Sequence, residues 1–297
     1  MGKLDGKVAL ISGGARGQGR SHALTLAREG ADIAVFDVCE QLPTVEIEMS
    51  TPADLAETER LVAATGRRVV AMRGDVRDSA SLAAVVERTL AELGQIDVVV
   101  ANAGIDTIAP TATMADEVWE QMIAVNLTGV YKTVRAALPA MIERGAGGAI
   151  VATSSCAGMT PYPNHIHYVT SKFGVIGIVK ALALELAHHR IRANAIAPAA
   201  VNTPMAVNPV LFELFTGDRD ASPEAAGEVF RTLNLIDEPW VEAQDISNAL
   251  LWLVSDESRY VTGHVLPVDL GMLVKGSFNA ADAAARVGEN RAGLISA

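Results

Sequence analysis

Aromatic residues make up only 4% of the 297-residue chain, and cysteine occurs twice, at Cys39 and Cys156. Two cysteines cannot build a disulfide framework, so the chain reads as a packed fold of the reducing cytoplasm. With rings scarce, Ala, Val, Leu and Ile must fill the core, and hydrophobic residues reach 50% of the chain. No apolar run approaches the roughly 18 residues of a membrane span. Basic residues number 24 against 35 acidic ones, for a net charge of −11, and no Lys/Arg run offsets this. That balance disfavours binding to nucleic acid or to an anionic membrane. The opening MGKLDGKVAL carries Asp5 and Lys7 and passes straight into a strand pattern, unlike a secretory signal. Gly6 stands where a myristoylation signal needs Ser or Thr. No His, Cys, Asp or Glu grouping has metal-ligand spacing, and no metal is expected.

What is present is a strict alternation. Apolar runs at 7–12, 31–36, 67–74, 97–104, 148–155, 190–198 and 264–269 read as strands. Between them lie helical patterns opening at 19, 53, 79, 116, 168 and 242. In the one over 79–93, Leu82, Val85, Val86 and Leu90 share a face. Strands that are apolar on both faces and alternate with helices predict an α/β fold with a parallel sheet covered on both sides. The spacing predicts one domain over 1–275, with an insertion at 39–51, a lid segment at 199–238 and an Ala-rich tail at 276–297.

The first strand runs into SGGARGQG, where Gly13, Gly17 and Gly19 open a helix. Glycines there let backbone approach a pyrophosphate, and the helix N-terminus supplies free N–H groups and a positive dipole end. Arg16 and Gln18 lie within the same turn. Asp37 ends the next strand 18 residues after Gly19, the context of a dinucleotide fingerprint. Its carboxylate suits ribose hydroxyls and would repel a 2′-phosphate, so NAD is expected over NADP. Val38 follows it, where a second cation for a phosphate would be expected; Arg16 argues weakly the other way.

YVTSK places Tyr168 and Lys172 four apart, on one helix face. Ser155 ends the fifth strand, thirteen residues before Tyr168. An unperturbed tyrosine, with a pKa near ~10, is a poor base at neutral pH, but a neighbouring ammonium favours its phenolate. Tyr168 could then exchange the proton of an alcohol while Ser155 holds the oxygen.

In chain order Gly13, Gly17, Gly19, Asp75, the NAG run 102–104, Asn126, Ser155, Tyr168 and Lys172 resemble the short-chain dehydrogenase/reductase family, from about residue 5 to 275. The resemblance implies a Rossmann-type, doubly wound seven-stranded parallel sheet in the order 3-2-1-4-5-6-7. It implies that Asp75 and Val76 flank the adenine and that Asn102, Ala103 and Gly104 support the cofactor. Asn126 would anchor a water in a proton relay through Lys172, which would also hold the nicotinamide ribose. The segment from Pro198 through Val201 to Thr203 would line the carboxamide side. Two departures stand out: Ser12 where threonine is usual, and Ala199 where glycine is usual. GQGRSHA, the insertion after the second strand and EPWVEAQDISNALLWLVSDESRYVTGHVLPVDLG resemble a carveol-dehydrogenase-like subgroup associated with the electron carrier mycofactocin. This implies NAD held tightly and reoxidised by that carrier, a small apolar alcohol or ketone substrate, and a homotetramer.

Several residues stay open. His165 and His167 either meet substrate or face solvent from a loop. Met159, Tyr162 and Asn164 either line the pocket or pack the loop. Cys156 reads as a packed small residue rather than a nucleophile. The helix from Tyr168 is apolar almost all round, and Gly174 and Gly177 suggest close approach to a helix of another subunit. Residues 199–238 read as a greasy lid over a bulky, terpenoid-like cyclic alcohol, with steroid-like and acyl-chain alcohols as alternatives. A non-catalytic NAD-binding regulator and a sugar-nucleotide epimerase are the other functional classes. The first is disfavoured by the Ser155, Tyr168 and Lys172 set, the second by the lack of a longer C-terminal substrate domain. The insertion is expected to fold over the adenosine half of NAD and slow its release, against the alternative of a solvated acidic loop.

Overall fold

The computed structural model of the protein describes residues 2–275. The tail at 276–297, expected to reach a neighbouring subunit or hang loosely, lies outside the described residues. Seven strands, β1 (Val8–Ser12), β2 (Asp32–Asp37), β3 (Val69–Arg73), β4 (Val98–Ala101), β5 (Gly148–Thr153), β6 (Ile191–Pro198) and β7 (Val265–Val268), form one sheet in the order β3-β2-β1-β4-β5-β6-β7. Every pairing is parallel. The order reverses between β1 and β4, and a doubly wound sheet opens a crevice at the C-terminal ends of the strands there.

Helices cover both faces because β1, β2 and β4 bury every residue and need apolar cover above and below. One face is packed by α1 (Gly17–Arg28), α2 (Pro52–Ala63) and α9 (Ala243–Val254), through Leu26, Val62, Leu250 and Leu253. The other carries α3 (Ser79–Leu93), α5 (Gly129–Arg144) and α6 (Ile166–Leu186), through Leu82, Val134, Met141, Val179 and Leu186. The α3 start is capped by Asp78, which accepts from the backbone N–H groups of Ala80 and Ser81, and α2 begins with a Thr51/Asp54 capping box.

The sequence predicts one helix from 116 to 138, and the structure differs. α4 (Asp116–Ile123) passes into a π-helical turn at Ala124–Thr128 before α5 begins. Hydrophobic periodicity does not reveal such a turn, which widens the helix locally and is frequent at functional sites. The helix also continues through Pro139, where the sequence suggests a stop. Burial of Ala137 and Met141 in the core on either side offsets the lost backbone bond. The fourth strand, expected to reach Gly104, ends at Ala101, because the next backbone N–H groups turn to a side chain of β1.

The GQGRSHA tract has a packing role. Ser21 Oγ and His22 Nδ1 both meet Ser247 Oγ, at 2.7 and 2.8 Å, and so pin α1 to α9. His22 is fully buried, and burial pushes its pKa down to about 3. Gly174 does not argue for an intersubunit contact, because a Cβ there would lie 2.6 Å from Leu127 of the same chain. Gly177 has nothing within 4 Å. The outer face of α6 exposes Ile166, Phe173 and Leu184.

His22 generates a prediction. Its folded-state pKa lies below the unfolded value, so the unfolded chain binds the extra proton. The stability this supplies is present above about pH 6.5 and is lost as pH falls toward 3. One proton contributes a slope of about 1.4 kcal/mol per pH unit in that window. Urea denaturation of wild type and His22→Gln across the window should give the shallower pH dependence in the variant; equal slopes would mean that the ring is not buried uncharged.

Candidate functional site

The crevice at the switch point is a cleft of about 520 Å³. It is lined by the loop after β1, the ends of β2, β4, β5 and β6, the 39–51 insertion and the 199–238 segment.

Its floor begins with the glycine turn. Gly13 and Gly17 have φ of 67° and 55°, in the left-handed region that favours glycine. A Cβ on Gly19 would sit 1.9 Å from the Gly13 carbonyl oxygen, so only glycine lets the start of α1 close onto β1. The Ser12 hydroxyl accepts from the backbone N–H groups of Asn102 and Ala103, at 3.0 and 3.1 Å, and stands 3.4 Å from the Val100 carbonyl. Serine therefore performs here what a threonine hydroxyl would. Asn102 donates to the carbonyls of Ser12 and Gly13 and accepts from Thr153 Oγ1, and so joins the ends of β1, β4 and β5.

Asp37 is buried at the end of β2. Its Oδ2 accepts from the Ala15 N–H at 3.0 Å and its Oδ1 from Ser50 Oγ at 2.7 Å. Arg16, which the sequence left as a possible phosphate partner, donates instead to the Glu48 carbonyl. Ser50 and Glu48 both belong to the insertion. That segment reverses at Cys39, a non-glycine residue with φ of 49°, and is organised around Gln41, which donates to Val45 O and accepts from the Met49 N–H. Leu42 and Val45 are buried, and both line the cleft with Ile47 and Met49. The insertion is therefore a packed wall beside Asp37 rather than a solvated loop. Asp75 is half-buried beside it; burial raises its pKa, but the Arg77 guanidinium, at 2.6 Å, more than offsets this and holds it below the usual range. Val76 is buried and lines the same end.

These residues fit a dinucleotide. The turn leaves no room for side chains between the glycines and α1, a buried carboxylate stands at the end of β2, and Gln18 Oε1 is buried without a hydrogen-bond partner among the described residues.

Ser155, Tyr168 and Lys172 converge at the other end. Ser155 starts a 3-10 turn at Cys156–Gly158 and accepts from the Ala157 N–H at 3.1 Å. Lys172 is buried, donates to the Thr153 carbonyl at 2.9 Å and lies 5.5 Å from the centre of the Tyr168 ring. Burial pulls Lys172 down to about 8, with the Asp106 carboxylate opposing. Burial and Asp106 both push the Tyr168 phenol above its ordinary range, and Ser155 opposes them. Asn126 sits in the π-helical turn with its side chain bonded both ways to the Ile105 backbone, at 2.9 and 2.8 Å. A Cβ on Gly104 would lie 3.5 Å from Asn126 Oδ1 and 3.7 Å from Lys172 Nζ, so the three residues adjoin.

The remaining candidates separate. Pro198, Val201 and Thr203 line the cleft, and the Thr203 methyl lies 3.5 Å from where a Gly17 Cβ would stand. Ala199 is not among the residues with positive φ, so the turn there does not require the usual glycine. His165 lines the cleft, whereas His167 is buried against Thr107 Oγ1 at 2.7 Å. Tyr162 lines the cleft, Met159 is exposed and Asn164 turns the loop with φ of 60°. Cys156 is buried, and burial raises its thiol to about 12, which suits packing and not nucleophilic attack. The 199–238 segment folds as α7 (Pro209–Thr216) and α8 (Pro223–Arg231), and the rings of Phe215 and Phe230, with centres 4.4 Å apart and planes tilted by 47°, line the cleft.

Sequence reasoning missed Asp106 and Ser50. Asp106 follows the NAG run by two residues and Ser50 precedes the Thr51 cap. Those positions are visible, but the partners that give them meaning come from distant segments.

Known proteins bear on this arrangement. A model of the short chain dehydrogenase family matches residues 7–210. The (-)-trans-carveol dehydrogenase of Rhodococcus erythropolis is 44% identical over 93% of this chain and 100% of its own length. The crystal structure of carveol dehydrogenase from Mycobacterium avium in complex with NAD superimposes with a TM-score of 0.91 at 47% identity, covering 93% of this chain and all of that one. A short chain dehydrogenase from Mycobacterium paratuberculosis bound to NAD gives 0.84 at 41% identity, over 92% of this chain and 99% of that one. The chain belongs to the short chain dehydrogenase family.

Proposed function

We propose that the protein is an NAD-dependent dehydrogenase that interconverts a secondary alcohol and its ketone, with a cyclic, terpenoid-like substrate. The observation that carries the reading is the convergence of Tyr168, Lys172 and Ser155 at one end of a cleft whose other end holds Gly13, Gly19 and Asp37. NAD held there would supply the acceptor, or in the reverse direction the donor, of the hydride on the carbinol carbon. Gly13, Arg16, Gly17, Gln18 and Gly19 would hold the pyrophosphate; Asp37, Val38, Asp75 and Val76 the adenosine; Asn102, Ala103, Gly104, Tyr168, Lys172, Pro198, Val201 and Thr203 the nicotinamide half. The engagement of Arg16 by the Glu48 carbonyl supports NAD over its 2′-phosphorylated form, because that guanidinium is turned to the insertion.

In oxidation Ser155 orients the alcohol oxygen and Tyr168 takes its proton at the phenol oxygen; in reduction the phenol returns it. An isolated buried phenol would resist this, since burial disfavours the phenolate. Lys172 offsets that cost with an ammonium held 5.5 Å from the ring. Asn126 braces the Ile105 backbone beside Lys172 and is the anchor for a water that leads the proton outward. Phe215, Phe230, Leu211 and Leu233 give the substrate end an apolar wall, which favours ring alcohols over small polar ones.

The insertion supports tight retention of NAD. Ser50 on Asp37 and the Glu48 carbonyl on Arg16 tie it to both ends of the adenosine site. In this reading the cofactor stays bound between turnovers and is reoxidised by a separate carrier of the mycofactocin kind. The exposed apolar face of α6 supports assembly as a homotetramer through that helix.

Tyr168→Phe should lower kcat for oxidation of cyclic secondary alcohols by about 10²–10⁴-fold while NAD still binds; undiminished turnover rejects the assignment. Oxidation should accelerate with rising pH as the phenolate forms, and ketone reduction should slow. In Lys172→Met the acid limb of the kcat/KM profile for oxidation should move to higher pH, because the phenolate has lost its countercharge; an unmoved limb counts against the pairing. For the insertion, protein purified without added nucleotide should release NAD on denaturation. Replacing residues 40–48 with a short Gly-Ser linker should speed NAD dissociation at least about tenfold, since closing the shorter loop itself changes little. Free exchange of NAD by the wild type within one turnover would reject retention.

A further inference from the structure

Asp106 leaves the end of β4 and lines the cleft. The buried carboxylates show how a structural aspartate is satisfied. Asp97 accepts from the Val8 N–H, from Gln95 and from Arg144, at 2.8, 2.8 and 2.5 Å. Asp37 accepts from Ala15 and Ser50, at 3.0 and 2.7 Å. Asp106 differs: its Oδ1 is buried with no hydrogen-bond partner among the described residues. The nearest cationic candidate is His165 Nε2, at 3.9 Å, beyond hydrogen-bonding distance.

His165 is fixed by two contacts. Its Nδ1 lies 3.0 Å from the Pro163 carbonyl, and a carbonyl only accepts, so Nδ1 carries a hydrogen and Nε2 is the nitrogen turned to Asp106. Its ring stands edge-on to that of Tyr168, with centres 6.3 Å apart and planes at 75°. His165 thus lies between the carboxylate and the reacting phenol, in contact with the ring of Tyr168 and 3.9 Å from Asp106. The Asp106 side chain keeps 14% of its surface while Oδ1 keeps none, which leaves Oδ2 as the carboxylate oxygen for a bound molecule.

Burial raises the Asp106 acid to about 6, with His165, Lys172 and the Thr107 backbone N–H drawing it back down. A carboxylate accepts and does not donate. In an apolar pocket it costs free energy unless a donor reaches it. The reacting hydroxyl cannot be that donor, because its single proton is directed to Tyr168. A second donor must come from elsewhere on the substrate.

We propose that Asp106 is a specificity-determining residue that accepts a hydrogen bond from a second hydroxyl of the substrate, so that the enzyme prefers hydroxylated cyclic alcohols to the matching mono-alcohols. This rests on the alcohol dehydrogenase reading above and names the substrate class for the same site.

The test compares cyclohexanol with the 1,2-, 1,3- and 1,4-cyclohexanediols. Wild type should favour at least one diol over cyclohexanol in kcat/KM by about 10–100-fold, the range for a hydrogen bond to a charged group. Asp106→Ala and Asp106→Asn should bring that ratio close to one, mainly through KM for the diol. Calorimetric binding of the same alcohols to NAD-loaded Tyr168→Phe, with and without Asp106→Ala, should show the same loss in the absence of turnover. A ratio that survives both substitutions overturns the proposal. Equal losses for diol and mono-alcohol overturn it as well, since Asp106 would then act on Tyr168 and not on the substrate. If NAD binds but none of the four alcohols binds or is oxidised, the alcohol reading fails and takes this proposal with it; turnover with an unchanged ratio rejects Asp106 alone.

Discussion

The bond from the Lys172 ammonium to the Thr153 carbonyl is the contact on which the reacting end of the cleft depends. It anchors α6 to the last residue of β5, and with it the phenol one turn earlier on the same helix. A buried ammonium is costly unless bonded, so the side chain is held where its charge can act on the Tyr168 ring. Ser154 adds a second tie, donating to the Lys172 carbonyl at 2.9 Å. The close approach of Gly158 belongs to the same junction, since a Cβ there would lie 2.7 Å from that carbonyl. Small residues at 154 and 158 thus let α6 come down onto the strand end.

The cofactor end obeys a different constraint. Steric closeness, rather than charge, governs it: Gly19 against the Gly13 carbonyl, and Gly13 against the Ala103 backbone, where a Cβ would be 2.8 Å from Cα. Only after that closure do the Ala15 N–H and the Asp37 carboxylate meet. The insertion then adds contacts at the rim. Its Thr44 backbone bonds to Gln121 of α4, its Ser50 to Asp37, and its Glu46 approaches Arg219 at 4.0 Å. The loop after β2 is therefore joined to both the dinucleotide end and the lid segment of the substrate end.

Much of this was legible from residue type and spacing. Continuous apolar strands and alternating helices gave a parallel sheet covered by helices on both faces, and Gly13, Gly17, Gly19, Asp37, Tyr168 and Lys172 announced their positions through local motifs that a strand, turn or helix places without help from the rest of the chain. The π-helical turn at Asn126 was not legible, because its cause lies in the bonds to Ile105, 21 residues away, and not in its own periodicity. Gly174 misled for the same reason: a glycine declares that something comes close, and here the neighbour is Leu127 of its own chain.

The sequence by itself determined the strand and helix succession, the glycine turn and the placement of phenol and ammonium on one helix face, since each depends on contacts within a few residues. Tertiary structure alone decided how the long segment after Asp37 is used, which way Arg16 turns, and that Asp106 comes within 3.9 Å of His165. These depend on side chains from separate segments meeting at the open ends of the strands. Hydrogen bonding between such distant partners leaves no periodic trace in the chain, because only the sheet order brings them together.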